Sequence, residues 1–151
     1  MKKIFLAKLS LKNLGLGRRR RVVYTYVVGD LLHVGHLRYL ESAKSFGDYL
    51  IVGVLTERAT LEKKTAPTIP LNQRMKLVNG LECVNKVVTQ HEYSPLENIK
   101  KIKPDILVES SSHKIQPAND YVRSYGGKVK EIPYYKGISS SEIKNKIKKN
   151  N

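Results

Sequence analysis

The chain has 151 residues, 40% of them hydrophobic and 27% charged, with a formal net charge of +15 at pH 7. That length fills one core but not two, the balance is that of a soluble globular domain, and no apolar run is long enough to span a membrane. The single cysteine, Cys83, excludes an intramolecular disulfide, so a cytoplasmic setting is expected.

Residues 1–21 carry eight basic side chains and no acid, and end in four arginines. They lack a small-residue cleavage site and do not read as a secretory signal. Residues 141–151 add four basic groups against one acid, whereas 22–140 hold 16 basic against 12 acidic groups. The charge therefore sits at the ends of the chain. A basic N-terminal extension (1–21) before one domain (22–151) is expected, with no nucleic-acid partner and no membrane span.

From residue 22 the pattern alternates. "VVYTYVV" (22–28) is β-branched and aromatic and predicts a strand, and "HLRYLESAKSF" (36–46) spaces Leu37, Leu40 and Ala43 as a helix does. The continuous apolar run "DYLIVGVL" (48–55) predicts a strand buried on both faces. A helix over 71–82, a strand over 86–90 and a short helix from Ser94-Pro95 to Lys101 follow. Strands at 105–110 and 128–133 flank a helix over 117–125, and a last helix begins in "SSSEIKNKIKK". This order predicts an α/β, Rossmann-like, doubly wound parallel sheet of about five strands in a single domain.

Such sheets bind ligands beyond the carboxyl ends of their strands, where "GDLLHVGH" (29–36) leaves the first strand. His33 falls in the strand-to-helix loop and His36 in the first helical turn, with Gly35 between them allowing close backbone approach. A helix N-terminus is a ready anion site, and its field favours neutral imidazoles that donate N–H bonds to phosphate oxygens. Two other readings stay open: one core and one surface histidine, or a metal pair with no convincing further ligands nearby. Near the other end, Ser139 and Glu142 have capping-box spacing, which sets a second helix N-terminus toward an anion or merely caps it.

"DLLHVGHLRYLESAKSFGDYLIVGV", "NQRMKLVNGLECVNKVV", "KPDILV" and "GISSSEIKNKI" together resemble the HxGH-signature nucleotidyltransferases, in particular their cytidylyltransferase branch. The resemblance covers roughly 22–148. It implies transfer of a nucleotidyl group from a triphosphate to a small phosphorylated substrate, releasing pyrophosphate, with Mg²⁺ accompanying the triphosphate. CTP and a glycerol-3-phosphate-like alcohol phosphate or a phosphonate are the expected pair. The alternatives are ATP with a FAD-synthetase-like or heptose-phosphate-like acceptor, or a nucleotide-binding protein without turnover. A homodimer is also expected.

Residue by residue, the resemblance implies that His33 and His36 hold the α-phosphate. It places Gly137, Ile138, Ser139, Ser140 and Ser141 on the outer phosphates, and one or both of Lys63 and Lys64 on the triphosphate. Arg74 joins the nucleotide contacts, as do Gly35 and the first-strand end Val27, Val28, Gly29 and Asp30. Asp30 orders the loop or approaches the metal. Lys144 matches the second signature's basic residue, and a solvated helix face accounts for it as well. Val27 to Asp30 depart from the "GTFD"-like approach of relatives, and "ESSSH" (109–113) departs from their "GDDW"-like loop. Glu109, Ser110 and His113 are candidates for the base or substrate pocket.

Overall fold

Val22–Val27 forms the first strand, β1, which alternates Val23 and Thr25 to one face with Tyr24 and Tyr26 to the other, all of them buried. The computed structural model of the protein describes residues 18–112 and 115–150. Most of the expected extension 1–21 therefore lies outside the described residues. Helix α1 (Val34–Ser45) leads to β2 (Tyr49–Leu55), whose apolar run is buried almost throughout, as a central parallel strand requires. Next come α2 (Glu57–Leu61), α3 (Leu71–Asn79), β3 (Lys86–Gln90) and α4 (Leu96–Ile102). The chain closes with β4 (Ile106–Ser110), α5 (Gln116–Ser124), β5 (Lys128–Ile132) and α6 (Ser140–Lys149).

The five strands are all parallel, in the order β3-β2-β1-β4-β5. Val22 pairs with Tyr49 on one side of β1 and Val23 with Ile106 on the other. One face of the sheet packs Leu40 and Ala43 of α1 and Val78 of α3 against Val23, Val52, Val54 and Val108. The other face packs Ala59 of α2, Ile99 of α4 and Ala118 and Val122 of α5 against Tyr24, Ile51, Leu55 and Leu107. Each fully buried large side chain, such as Leu50 or Ile99, stabilises by about 1.5–3 kcal/mol through its removal from water. The doubly wound sheet expected from the sequence is the one observed. No helix among the described residues is long and apolar enough to cross a membrane.

Some boundaries differ for local reasons. Helix α1 starts at Val34, two residues early, because His33 caps it. Helix α3 stops at Asn79 rather than at 82, with the Gly80 N–H closing its last turn onto Lys76 and Leu77. Helix α4 starts at Leu96, whose N–H donates to Ser94 Oγ, and is ended by Lys103 in a left-handed conformation. Helix α2 was not anticipated. It is only five residues long, and its start signal is Thr56, whose hydroxyl accepts the Ala59 N–H at 3.0 Å.

Candidate active site

Strands β1 and β4 lie side by side, but the chain leaves them toward opposite edges, through α1 to β2 and through α5 to β5. β1 ends at Val27 and β4 at Ser110, so their carboxyl ends mark the point where the chain direction diverges, the place where such sheets bind ligands. After β1 the backbone turns sharply, with φ of +70° at Gly29 and +47° at Leu31. Glycine adopts that geometry freely, whereas Leu31 does so at a cost of about 1–2 kcal/mol. The turn delivers His33 to the entrance of α1.

There the two histidines build a capping box out of imidazoles. His33, in extended backbone, accepts the Gly35 N–H at its Nδ1 (3.0 Å), and the His33 N–H donates to His36 Nδ1 (3.3 Å). The rings stand 4.1 Å apart. A Cβ on Gly35 would lie 2.8 Å from His33 Cε1 and 3.3 Å from the Ile138 carbonyl. Glycine is needed here because the cap's own ring folds over it. The same contact brings the 137–139 loop against the start of α1.

Because each Nδ1 accepts a backbone N–H, a neutral ring carries its proton on Nε2. Burial, then the neighbouring His33 and Lys64, push His36 down to about 4 against the weaker pull of Asp30. Burial also lowers His33, with Glu142 opposing. At neutral pH both rings are uncharged and each offers one Nε2–H donor.

Helix α6 supplies the second N-terminus. Ser139 Oγ accepts the Glu142 N–H (3.2 Å) and the Glu142 carboxylate accepts the Ser139 N–H (2.9 Å), completing the capping box that the spacing suggests. Ser140 Oγ donates to the Asp30 carbonyl (2.6 Å) and Lys144 Nζ meets Asp30 Oδ2 at 2.8 Å. The first-strand turn and the serine segment are thereby joined across 110 residues of sequence.

Asp30 is 3% exposed and also accepts the N–H groups of Thr68 and Ile69, at 2.8 and 2.9 Å. Burial alone would raise its carboxyl, but Lys144 and these two N–H groups hold it below the ordinary carboxylate range. Both oxygens are committed. Among the described residues no group of three or more His, Cys, Asp or Glu side chains is placed to hold a metal. The bonds to Asp30 match the loop-ordering alternative for this residue.

Of the two lysines that follow α2, Lys64 is the one whose ammonium acts on His36. Both lysines are exposed. Gly137 lies against the Tyr135 ring, which in turn packs on Arg38 of α1, with the guanidinium carbon 4.6 Å from the ring centre. Ser141 is exposed in the first turn of α6.

Arg74, expected among the nucleotide contacts, is instead fully buried. Its Nε donates to the Ile69 carbonyl (2.8 Å) and its Nη1 to those of Val28 (2.6 Å) and Leu55 (2.7 Å), while Nη2 meets Glu57 at 3.2 Å. One planar guanidinium thus pins the ends of β1 and β2 and the segment before α3.

Glu109 is likewise 2% exposed rather than open to a pocket. It accepts from Asn119 Nδ2 (3.0 Å), the Ile115 N–H (3.4 Å) and Tyr26 Oη (3.5 Å), anchoring the start of α5 to β4. Burial raises its carboxyl despite those bonds. Ser110 Oγ pairs with Ser112 Oγ at 2.9 Å, and Ser111 Oγ accepts the Tyr134 N–H, tying the loop after β4 to the loop after β5. His113 lies outside the described residues. Thr68 and Ile69 escaped sequence reading because they act through backbone N–H groups that any residue but proline supplies.

Residues 29–146 match the family model described as cytidylyltransferase-like. The chain is 37% identical over 134 residues to the bifunctional protein HldE of Citrifermentans bemidjiense, covering 86% of this chain and 28% of that protein. It is 38% identical over 136 residues to the HldE of Proteus mirabilis, covering 87% of this chain and 29% of that protein. The chain thus spans between a quarter and a third of the length of these curated relatives. Among solved structures it resembles the lipopolysaccharide core biosynthesis protein of Thermoplasma volcanium GSS1, with a TM-score of 0.67 and 27% identity, covering 79% of this chain and 99% of that one.

Proposed function

The chain belongs to the cytidylyltransferase-like family of nucleotidyltransferases, and from that premise we propose that it transfers AMP from ATP to a sugar phosphate of the heptose-phosphate kind. The observation that carries nucleotidyl transfer is the pair of neutral imidazoles at the head of α1, beside the serine-capped start of α6.

In the proposed reaction a phosphate oxygen of the acceptor attacks the α-phosphorus of ATP in line. The new P–O bond forms as the bond from the α-phosphorus to the bridging oxygen breaks, and the electron pair leaves with pyrophosphate. The Nε2–H groups of His33 and His36 donate to α-phosphate oxygens and stabilise the charge that builds there. Being uncharged and capped, they need no reorganisation as the transfer proceeds. Lys64 supplies positive charge on the histidine side, and the free N–H groups of α6, with Ser139 to Ser141, grip the outer phosphates. Magnesium, bound through the triphosphate, would neutralise phosphate charge.

The choice of base and acceptor rests on the relatives. A lipopolysaccharide core is built from sugars, which enter such polymers in nucleotide-activated form. The likeness to a lipopolysaccharide core biosynthesis protein and to the HldE proteins therefore favours the heptose-phosphate-like, ATP-using alternative over CMP transfer to a glycerol-phosphate-like acceptor. The family description, cytidylyltransferase-like, does not by itself fix the base. Ligand binding raises the melting temperature by mass action, so titrations of ATP and CTP, each with Mg²⁺, test the choice. ATP should stabilise at lower concentration than CTP. The reverse order would return the chain to the cytidylyl reading, and no shift with either would sink nucleotide binding.

A further inference from the structure

Three segments that could touch a triphosphate meet on one carboxylate. The first-strand turn carries Asp30 itself; the loop after Lys63 and Lys64 gives it the N–H groups of Thr68 (2.8 Å) and Ile69 (2.9 Å); and α6 gives it the Lys144 ammonium (2.8 Å). Ser140 Oγ adds a bond to the Asp30 carbonyl at 2.6 Å. Asp30 is buried, and the Lys144 side chain is 27% exposed, so this ion pair is only partly screened by water. Neither Thr68, Ile69 nor Lys144 is needed here for the core: α6 has no fully buried residue, and the loop between α2 and α3 is largely exposed. This set of polar bonds ties both outer segments to the first-strand turn, alongside the Arg74 bond to the Ile69 carbonyl and the approach of the Ile138 carbonyl to Gly35.

We propose that Asp30 is the positioning residue that keeps the lysine-bearing loop and the serine-bearing helix in register across the phosphate site, so that one triphosphate meets both. The inference rests on the nucleotidyltransferase reading for its consequence in catalysis, but not for the coupling itself. A triphosphate gripped from two sides gains only if both grips are in place beforehand; each segment left free must be ordered on binding, at a cost in affinity. Asp30 does no chemistry. It removes that cost.

Amide hydrogen exchange on the ligand-free full chain tests the coupling without any nucleotide. In Asp30→Asn, exchange should quicken at least about tenfold both at Thr68 and Ile69 and along α6, with the amides of β1, β2 and β4 unchanged. The KM for the triphosphate should rise by at least about tenfold, with a smaller change in kcat. Faster exchange in one segment only, or in neither, would overturn the proposal. If Asp30→Asn loses sheet protection as well, Lys144→Met takes its place. It should loosen α6 and raise KM, and Lys144→Arg, which keeps a charge for Asp30, should restore both. A loosened α6 with unchanged KM would overturn the coupling. Failure of the wild-type protein to turn over either nucleotide would count against the proposed function while the exchange result stands on its own.

Discussion

His36 accepts the backbone N–H of His33 at 3.3 Å, so the second histidine of the pair holds the first in its capping conformation while the His33 ring covers Gly35. Each histidine does local structural work with Nδ1, and its Nε2 has no hydrogen-bond partner among the described residues.

That arrangement has a pH signature. The folded-state pKa of His36 is about 4 against an ordinary 6.5. Between those values the unfolded chain binds a proton that the folded chain refuses, so stability falls as pH drops from 6.5 toward 4 and is fully present above 6.5. An order-of-magnitude loss of about 2 kcal/mol is expected from this group, allowing for its partial exposure. Urea unfolding at pH 7 and pH 5 should show a smaller difference in His36→Gln than in the wild type. Equal differences in the two proteins would contradict the shifted histidine.

Gly35→Ala separates helix propensity from site geometry. Alanine favours a helix interior by about 0.8–1 kcal/mol over glycine. Its Cβ, however, would sit 2.8 Å from His33 Cε1, and the ring must move. Turnover should fall by at least about tenfold while melting changes by only a few degrees. Wild-type turnover in this variant would mean that the folded-back ring is dispensable.

Arg74→Lys keeps the charge and loses the fork. Three backbone carbonyls share the guanidinium, and one ammonium cannot reach all of them. Each buried carbonyl left unpaired costs about 1–3 kcal/mol, so a loss of at least about 2 kcal/mol is expected in denaturant unfolding. A variant as stable as the wild type would show that water or rearrangement replaces those bonds.

The sheet was legible because its strands are written as β-branched or apolar runs and its helices as spaced apolar positions; Val22–Val27 and Lys86–Gln90 emerge within a residue of expectation. The histidines and the Ser139–Glu142 cap were legible for a different reason, since both depend on spacings of three along one chain. What stayed hidden depends on meetings between distant segments. Nothing near Arg74 announces that it will be enclosed by carbonyls from residues 28, 55 and 69, and nothing near Lys144 announces a partner 114 positions away. Glu109 was expected in the pocket because "ESSSH" stands where the relatives carry their "GDDW"-like loop. The pleat sends it instead to the face where Tyr26 and Asn119 receive it.

The most direct test of adenylyl transfer is the steady-state release of pyrophosphate by the wild-type protein. ATP and CTP are compared at saturating Mg²⁺ against a panel holding heptose and other sugar 1-phosphates alongside glycerol 3-phosphate. The account predicts a higher kcat/KM for ATP than for CTP, with a sugar phosphate as the best acceptor and a drop of about 10²–10³ in kcat for His36→Ala, the scale of one lost oxyanion donor. A higher kcat/KM for CTP with glycerol 3-phosphate, or turnover indifferent to His36, would contradict it.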